Sequence, residues 1–390
     1  MPVHEPIAAQ ASEAAQWRRD FHAHPELGFD EHRTAGIVAD KLRAFGCDEV
    51  VTGIATTGVV GVIRGARPGS ERVVGLRADM DALPIEEATN LPWRSTNPGR
   101  MHACGHDGHT AMLLAGARHL AATRDFSGTA VVIFQPAEEG GGGAAVMLNE
   151  GLLERFGVQE VYGMHNMPGI PVGAFAIRPG PMMAAADRFK LVIEGNGAHA
   201  AKPHAGIDPI LVASHVVVAL QSIVARNVDP LSSAVVTVGS LKAGDTFNVI
   251  PQTATMLGTV RTLTEEVREL CEARVRGVVE NVCKALGAGV EIEYVRGYPV
   301  TRNHPAEAAF AAAMAREVSG HEAVDADTLP LMGAEAFSVM LEKRPGAYIF
   351  VGNGDTAGVH NPAYDFNDDA LAVGASFWAR LVEGGAGKAA

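Results

Sequence analysis

Apolar residues between positions 8 and 24 recur at helical spacing, and Pro25 and Gly28 end the pattern. Short apolar runs follow, TTGVVGVIRG and RVVGLRADM, with the length and β-branched content of strands. The stretch 110–122, rich in Ala and Leu, predicts a helix that begins within or just after a histidine-rich segment. TAVVIFQPA predicts a buried strand ending at Glu138 and Glu139, EVYGMHN one ending on His165, and AYIFVGNG one that precedes a loop carrying His360. Helices alternating with apolar strands predict an α/β fold with a doubly wound, mostly parallel sheet, which carries its sites at the strand C-termini.

From about Asp187 to Tyr298 the rhythm changes. FKLVIEG, SSAVVTVGSLKAG, TATMLGTVRT and GVEIEYVRG read as strands, and 208–227 and 264–286 as helices, in the order βαββαβ. That is the ferredoxin-like α+β pattern, complete in itself. The expected organisation is therefore a discontinuous catalytic domain, 1–186 and 299–390, with a small domain inserted at 187–298. An edge strand of that small domain can pair with a copy of itself, which predicts a symmetric homodimer or dimer-based oligomer.

Composition narrows the partners. The 390 residues are 47% hydrophobic and 20% charged, with a formal charge of −13. Phosphate binding needs a basic face, so nucleic acid is not expected as a partner. No run of residues suggests a membrane span, and the N-terminal twenty residues lack the basic and apolar regions of a signal peptide. Four scattered cysteines, Cys47, Cys104, Cys271 and Cys283, fit a reducing cytoplasm better than a disulfide framework.

The segment MHACGHDGHT packs His102, Cys104, His106, Asp107 and His109 into ten residues. Imidazole nitrogens and a thiolate suit zinc, cobalt, nickel or manganese rather than calcium or magnesium. The C-x-H spacing of Cys104 and His106 lets both turn towards one ion. Asp107 can bind, orient a ligand or cap the helix, and His109 can orient a ligand. Adjacent carboxylates at an extended strand end point to different sides, so Glu138 and Glu139 divide into one metal ligand and one base facing the substrate. No G-K-[ST] follows Gly140–Gly143, which argues against a phosphate loop and for close approach of a helix start. His22 and His24 lie on a helix and read as structural. One of Asp79 and Asp81 is expected to orient a ligand. The glycine-flanked His199 is the candidate functional histidine of the inserted domain.

On the anchors RRDFHAHPELGF, LRADMDALP, MHACGHDGHT, FQPAEEG, GNGAHAAKPH, NVIPQTA and VHNPAYDF, the chain resembles the aminoacylase and hippurate hydrolase family of metallo-amidohydrolases from about Trp17 onward. That resemblance implies two divalent metal ions held by Cys104, His106, Glu139, His165 and His360, with Glu138 as general base. It implies that the inserted domain is a dimerisation or lid domain whose His199, Asn248 and Arg261 approach the substrate. The implied reaction is hydrolysis of the amide bond of an N-acyl amino acid, with His199 stabilising the oxyanion and Asn248 and Arg261 holding the carboxylate. One departure is visible: where the family has an acidic pair, this chain has Glu335 followed by Ala336. Two rival readings are a metallo-dipeptidase or carboxypeptidase, which needs a group for a free amine, and a non-catalytic metal-binding protein, which does not need Glu138.

Overall fold

The computed structural model describes residues 3–387, which form two units, 3–182 with 302–329 and 336–387, and Met183–Thr301 with Pro330–Glu335. The second unit is a few residues wider at each end than the expected 187–298. It also takes in the short segment 330–335, which sequence periodicity gave no reason to assign there.

In the larger unit the central strands are Thr129–Gln135, Val73–Asp79, Glu160–Pro168 and Gly346–Gly354, each parallel to its neighbour in that order. Their near-continuous apolar sequences follow from burial on both faces. Ala130, Val132 and Phe134 pack with the helices Ala11–Ala23, His32–Ala44, His106–Thr123 and Ala370–Glu383, while Val131 and Ile133 face the other way. The edges are less regular. The hairpin of Glu49–Ile54 and Gly58–Arg64 adds antiparallel on one side, and the two-residue strand Phe175–Ala176 adds antiparallel on the other, so the sheet is mixed, with a parallel centre.

The helix His106–Thr123 is buried almost all round, which explains its Ala- and Gly-rich sequence. A Cβ on Gly108 would lie 2.2 Å from the Phe366 ring, and one on Gly116 would lie 3.0 Å from Trp378 Cβ. The absence of side chains at these two positions lets the C-terminal segment seat directly on the helix. The helix also starts earlier than its Ala/Leu pattern suggests, so the histidine-rich segment forms its first turn.

The smaller unit is a four-stranded antiparallel sheet in the order Ala234–Ala243, Thr253–Thr262, Ala185–Glu194, Gly289–Arg296. Pro209–Arg226 and Glu265–Ala285 cover one face, with Phe189, Leu191, Ile193 and Met256 meeting Val212, Val216, Leu220, Val275 and Val279 in its core. Both helices start at side-chain caps, Asp208 accepting from the Ile210 and Leu211 N–H groups and Thr264 from Val267. Helix Pro209–Arg226 is long and apolar enough to cross a membrane by length and composition, with mean hydropathy 1.6, a feature not counted in the sequence. Its Val212, Val216, Leu220 and Ile223 are buried against the sheet, as in a core helix of a small domain.

Asp187 is the polar centre of this unit. Its carboxylate accepts from Arg268 at 2.6 Å, from the Tyr294 hydroxyl at 3.0 Å and from the Gly297 N–H at 3.1 Å, with Asp187 and Arg268 themselves buried. Removing one member leaves a buried guanidinium without its counter-charge. Asp187→Ala is therefore expected to lower unfolding free energy by about 3–5 kcal/mol, measured by urea denaturation of the full chain. A loss below 1 kcal/mol would show that the pair is not desolvated.

Candidate metal centre

The turn that begins helix His106–Thr123 is built around Gly105, whose φ of +85° is the left-handed conformation glycine adopts without strain. A Cβ there would sit 2.3 Å from Asn166 Nδ2 and 2.4 Å from the Tyr364 hydroxyl. In the space left free, Asn166 Nδ2 donates to the Cys104 carbonyl at 2.6 Å and Tyr364 donates to Asn166 Oδ1 at 2.6 Å. These bonds fix the backbone that presents Cys104. Asn166 and Tyr364 carry no sequence signal of this role, because amides and phenols occur everywhere; only the fold shows what they hold.

Each imidazole is oriented by its second nitrogen. His106 Nδ1 lies 2.8 Å from the Asp81 carbonyl and His165 Nδ1 lies 2.5 Å from that of Asn166. A carbonyl only accepts, so both Nδ1 atoms carry the proton and both Nε2 atoms keep a free lone pair. His165 Nε2 faces Cys104 Sγ at 3.3 Å. His106 Nε2 is buried without a hydrogen-bond partner. His109 differs: Nδ1 is 2.6 Å from Asp79 Oδ1, and Nε2 accepts from the Asn166 N–H at 2.9 Å. Both its nitrogens are used, so it orients its neighbours. Asp79 is held in turn by Arg77 at 2.8 Å, and lies well below the usual carboxylate range: burial opposes this, and the nearby His106, Arg77 and His109 outweigh burial.

Asp107 is also a structural member of the site. His22 Nδ1 reaches it at 2.8 Å and Arg18 at 3.6 Å, all three fully buried. His24 bonds back to its own helix, at the Asp20 carbonyl. His22 and His24 thus form no metal pair.

The strand Thr129–Gln135 stops three residues before Glu138, and Ala137 turns the chain with a φ of +50°. The glutamates therefore do not diverge from an extended strand end as alternation would have it. Each brings an oxygen within 4.8 Å of a His106 nitrogen and of the other's oxygen. Asp81 Oδ2 accepts from the Glu139 N–H at 2.9 Å, and Glu139 Oε1 lies 3.1 Å from His360 Nε2. His360 is itself left-handed, at φ +64°, with its N–H donating to the Ala103 carbonyl at 2.6 Å. Of the four glycines 140–143 two are close-packed, since a Cβ on Gly143 would lie 1.8 Å from the Pro136 carbonyl oxygen and one on Gly141 2.7 Å from Ala137 Cβ; Gly140 and Gly142 face open space in left-handed turns.

Four sets of donors meet here: Cys104, His106 and His165; Cys104, Glu139 and His360; His106, Glu138 and Glu139; and Asp79, His106 and His109. They overlap at Cys104 and His106. Burial pushes the Cys104 thiol well above its ordinary pKa, a cost that a bound divalent cation reverses by stabilising the thiolate. The partnerless His106 Nε2, the soft thiol and the mixed N, S and O donors fit a borderline transition metal. The position of the departure from the family pattern, Ala336, is buried, and its backbone N–H donates to Glu138 Oε1 at 2.9 Å. That contact needs no side chain.

In the smaller unit, His199 and Asn248 stand together, with the Ala200 N–H donating to the Asn248 carbonyl at 3.1 Å and His199 paired across from Val249. Arg261 does not join them. It pairs across from Ala186, whereas Thr253, at the end of the strand nearest His199, pairs with Glu194. Eight residues of strand, about 26 Å at the usual rise, separate the two ends.

A mixed α/β sheet with Cys, His and Glu donors at its strand ends, and a separate four-stranded α+β unit, define the class: the chain belongs to peptidase family M20/M25/M40, whose pattern matches residues 75–384. It is 44% identical over 364 residues to a hippurate hydrolase of Campylobacter jejuni, covering 93% of this chain and 94% of that protein. It is 40% identical over 367 residues to an N-acetylcysteine deacetylase of Bacillus subtilis, with coverage of 93% and 94%. Among solved structures, a dinuclear metal binding M20 peptidase from Bacillus subtilis superposes with a TM-score of 0.83 at 37% identity, covering 96% of this chain and 98% of that one.

The fold's apolar core is separate from these donors, so Cys104→Ser and His165→Ala are expected to lose bound metal while keeping the wild-type circular dichroism spectrum. Elemental analysis after gel filtration provides the check. Full metal occupancy in both variants would remove these residues from the ligand set.

Proposed function

We propose that this chain is a metal-dependent amidohydrolase that cleaves the amide bond of N-acyl amino acids, releasing a carboxylic acid and a free amino acid. The observation that carries the proposal is Glu138, a second carboxylate within 4.8 Å of the His106 and Glu139 ligand atoms, whose Oε1 accepts from the Ala336 N–H. The similarity to hydrolases of benzoyl- and acetyl-capped amino acids supports this substrate class.

Cys104, His106, Glu139, His165 and His360 would hold two divalent cations, manganese, zinc, cobalt or nickel, which when bound supply Lewis acidity towards a carbonyl oxygen and a water. Glu138 takes one proton from the attacking water as the new C–O bond forms. It returns that proton to the nitrogen as the C–N bond breaks. His199 donates to the oxygen that gains charge, and Arg261 and Asn248 hold the substrate carboxylate.

Arg261 lies at the opposite end of its strand from His199 and Asn248, which supports a lid whose residues come from two copies of the chain. The two sheet edges support one arrangement. Around Gly289–Arg296 the surface is ionic, with Arg296 bonded to Glu265 and Glu272. Around Ala234–Ala243 it is apolar, with Leu211, Val218, Leu231 and Leu241 exposed. Pairing along the apolar edge buries these side chains and joins two sheets into one. The four free cysteines favour a reducing compartment such as the cytoplasm.

The test is hydrolysis of N-acetyl, N-benzoyl and indole-acetyl amino acids, with dipeptides alongside, in the presence of each of the four metals. Glu138→Ala at metal content equal to wild type is expected to lose activity on the acyl substrates. Preference for dipeptides would favour the peptidase reading, and full activity in the variant would remove Glu138 as base.

For the lid, His199→Ala is expected to lower kcat by roughly 10²–10³ with metal retained. Mixing it with Glu138→Ala should recover part of the activity in heterodimers. No recovery would show that His199 acts within its own subunit.

A further inference from the structure

The backbone that carries Glu138 is held in a conformation it would not choose. Ala137 is left-handed although it is not glycine, and its surroundings leave it little freedom. A Cβ on Gly28 would lie 2.9 Å from Ala137 Cβ, and one on Gly141 would lie 2.7 Å from it. The Ala137 N–H donates to Glu31 Oε1 at 2.9 Å. The other oxygen of Glu31 accepts from the Thr57 hydroxyl at 2.6 Å, and Glu31 is fully buried. On the far side of Glu138, the Glu139 N–H donates to Asp81 Oδ2 at 2.9 Å. Glu138 therefore stands between two peptide N–H groups, each tied to a buried carboxylate, while its own Oε1 accepts from Ala336.

We propose that Glu31 is a positioning residue for the reaction, holding the left-handed turn at Ala137 so that the carboxylate of Glu138 faces the reacting water. The inference rests on the assignment of Glu138 as base. Asp81 holds Glu139 through a separate hydrogen bond, whereas Glu31 bonds the residue next to the base. Glu31 lies more than a hundred residues before Glu138 in an unrelated helix start, and its hydrogen bond to this turn is to the Ala137 backbone.

Glu31→Ala is expected to lower kcat by roughly 10²-fold, the effect of misplacing a reacting group by about 1 Å, with KM and metal content close to wild type. Glu31→Gln keeps a carbonyl oxygen for the Ala137 N–H and should recover most of kcat. In the double variant Glu31→Ala with Ala137→Gly, glycine accepts the positive φ without strain, so part of kcat should return together with Tm. Return of Tm with no gain in kcat would overturn the proposal, as would unchanged kcat in Glu31→Ala. Should Glu31→Ala fail to fold, Thr57→Val removes one of the two bonds on the same carboxylate. A smaller fall in kcat at constant KM supports the proposal there, and an unchanged kcat overturns it. Glu138→Ala measured in parallel keeps the two ideas apart. Full activity in that variant overturns the base assignment and this inference with it, whereas loss in Glu138→Ala and none in Glu31→Ala overturns only the positioning role.

Discussion

Burying this many polar donors at the end of a sheet is the constraint on which the rest depends. A buried imidazole, thiol or carboxylate without a partner is costly. The chain meets the requirement by giving almost every group a second anchor away from the metal face. His106 and His165 tie Nδ1 to carbonyls, His109 spans Asp79 and Asn166, and Asp81 takes the Glu139 N–H. These anchors leave His106 Nε2 buried with no hydrogen-bond partner, so that its lone pair is open to a cation.

The second consequence is crowding. Anchors packed this closely need backbone to pass where a side chain would collide, and the chain uses Gly105, Gly108 and Gly143 at those points. Where glycine is absent the backbone is forced instead, at Ala137 and His360. Strain at two positions that deliver site residues, Glu138 and His360 itself, is consistent with structure being given up locally for geometry. Behind the helix start, Arg18, His22 and Asp107 form a buried charged layer that keeps its first turn in place.

The smaller unit follows a different logic. Its core is an ordinary helix-on-sheet layer with one buried ion pair, and its interest lies in what stays outside. Apolar side chains collect on one edge and ionic ones on the other, an asymmetry that a lone domain would not need. Arg261 and the pair His199 and Asn248 stand at opposite ends of the same sheet.

Much of this was legible in the chain itself. Periodicity located the central strands of the larger unit and every main element of the smaller one, since the periods of 2 and 3.6 come from backbone geometry, but not the helices His32–Ala44, Pro305–Ser319 and Ala370–Glu383; donor chemistry marked Cys104, His106, Glu138 and Glu139 as candidates, and the family resemblance added His165 and His360. The roles of Glu31, Asn166 and Tyr364 were not legible. These depend on which backbone groups meet across many residues of intervening chain, and a residue type does not encode its distant partner. Adjacent glutamates were read as diverging because alternation assumes extended backbone; the left-handed Ala137 removed that assumption. Sequence by itself determined which elements form and which atoms can bind a metal, because both follow from local chemistry. Only the tertiary structure decided which of those atoms are free to do so, because a donor becomes a ligand only after its other hydrogen bonds have been assigned.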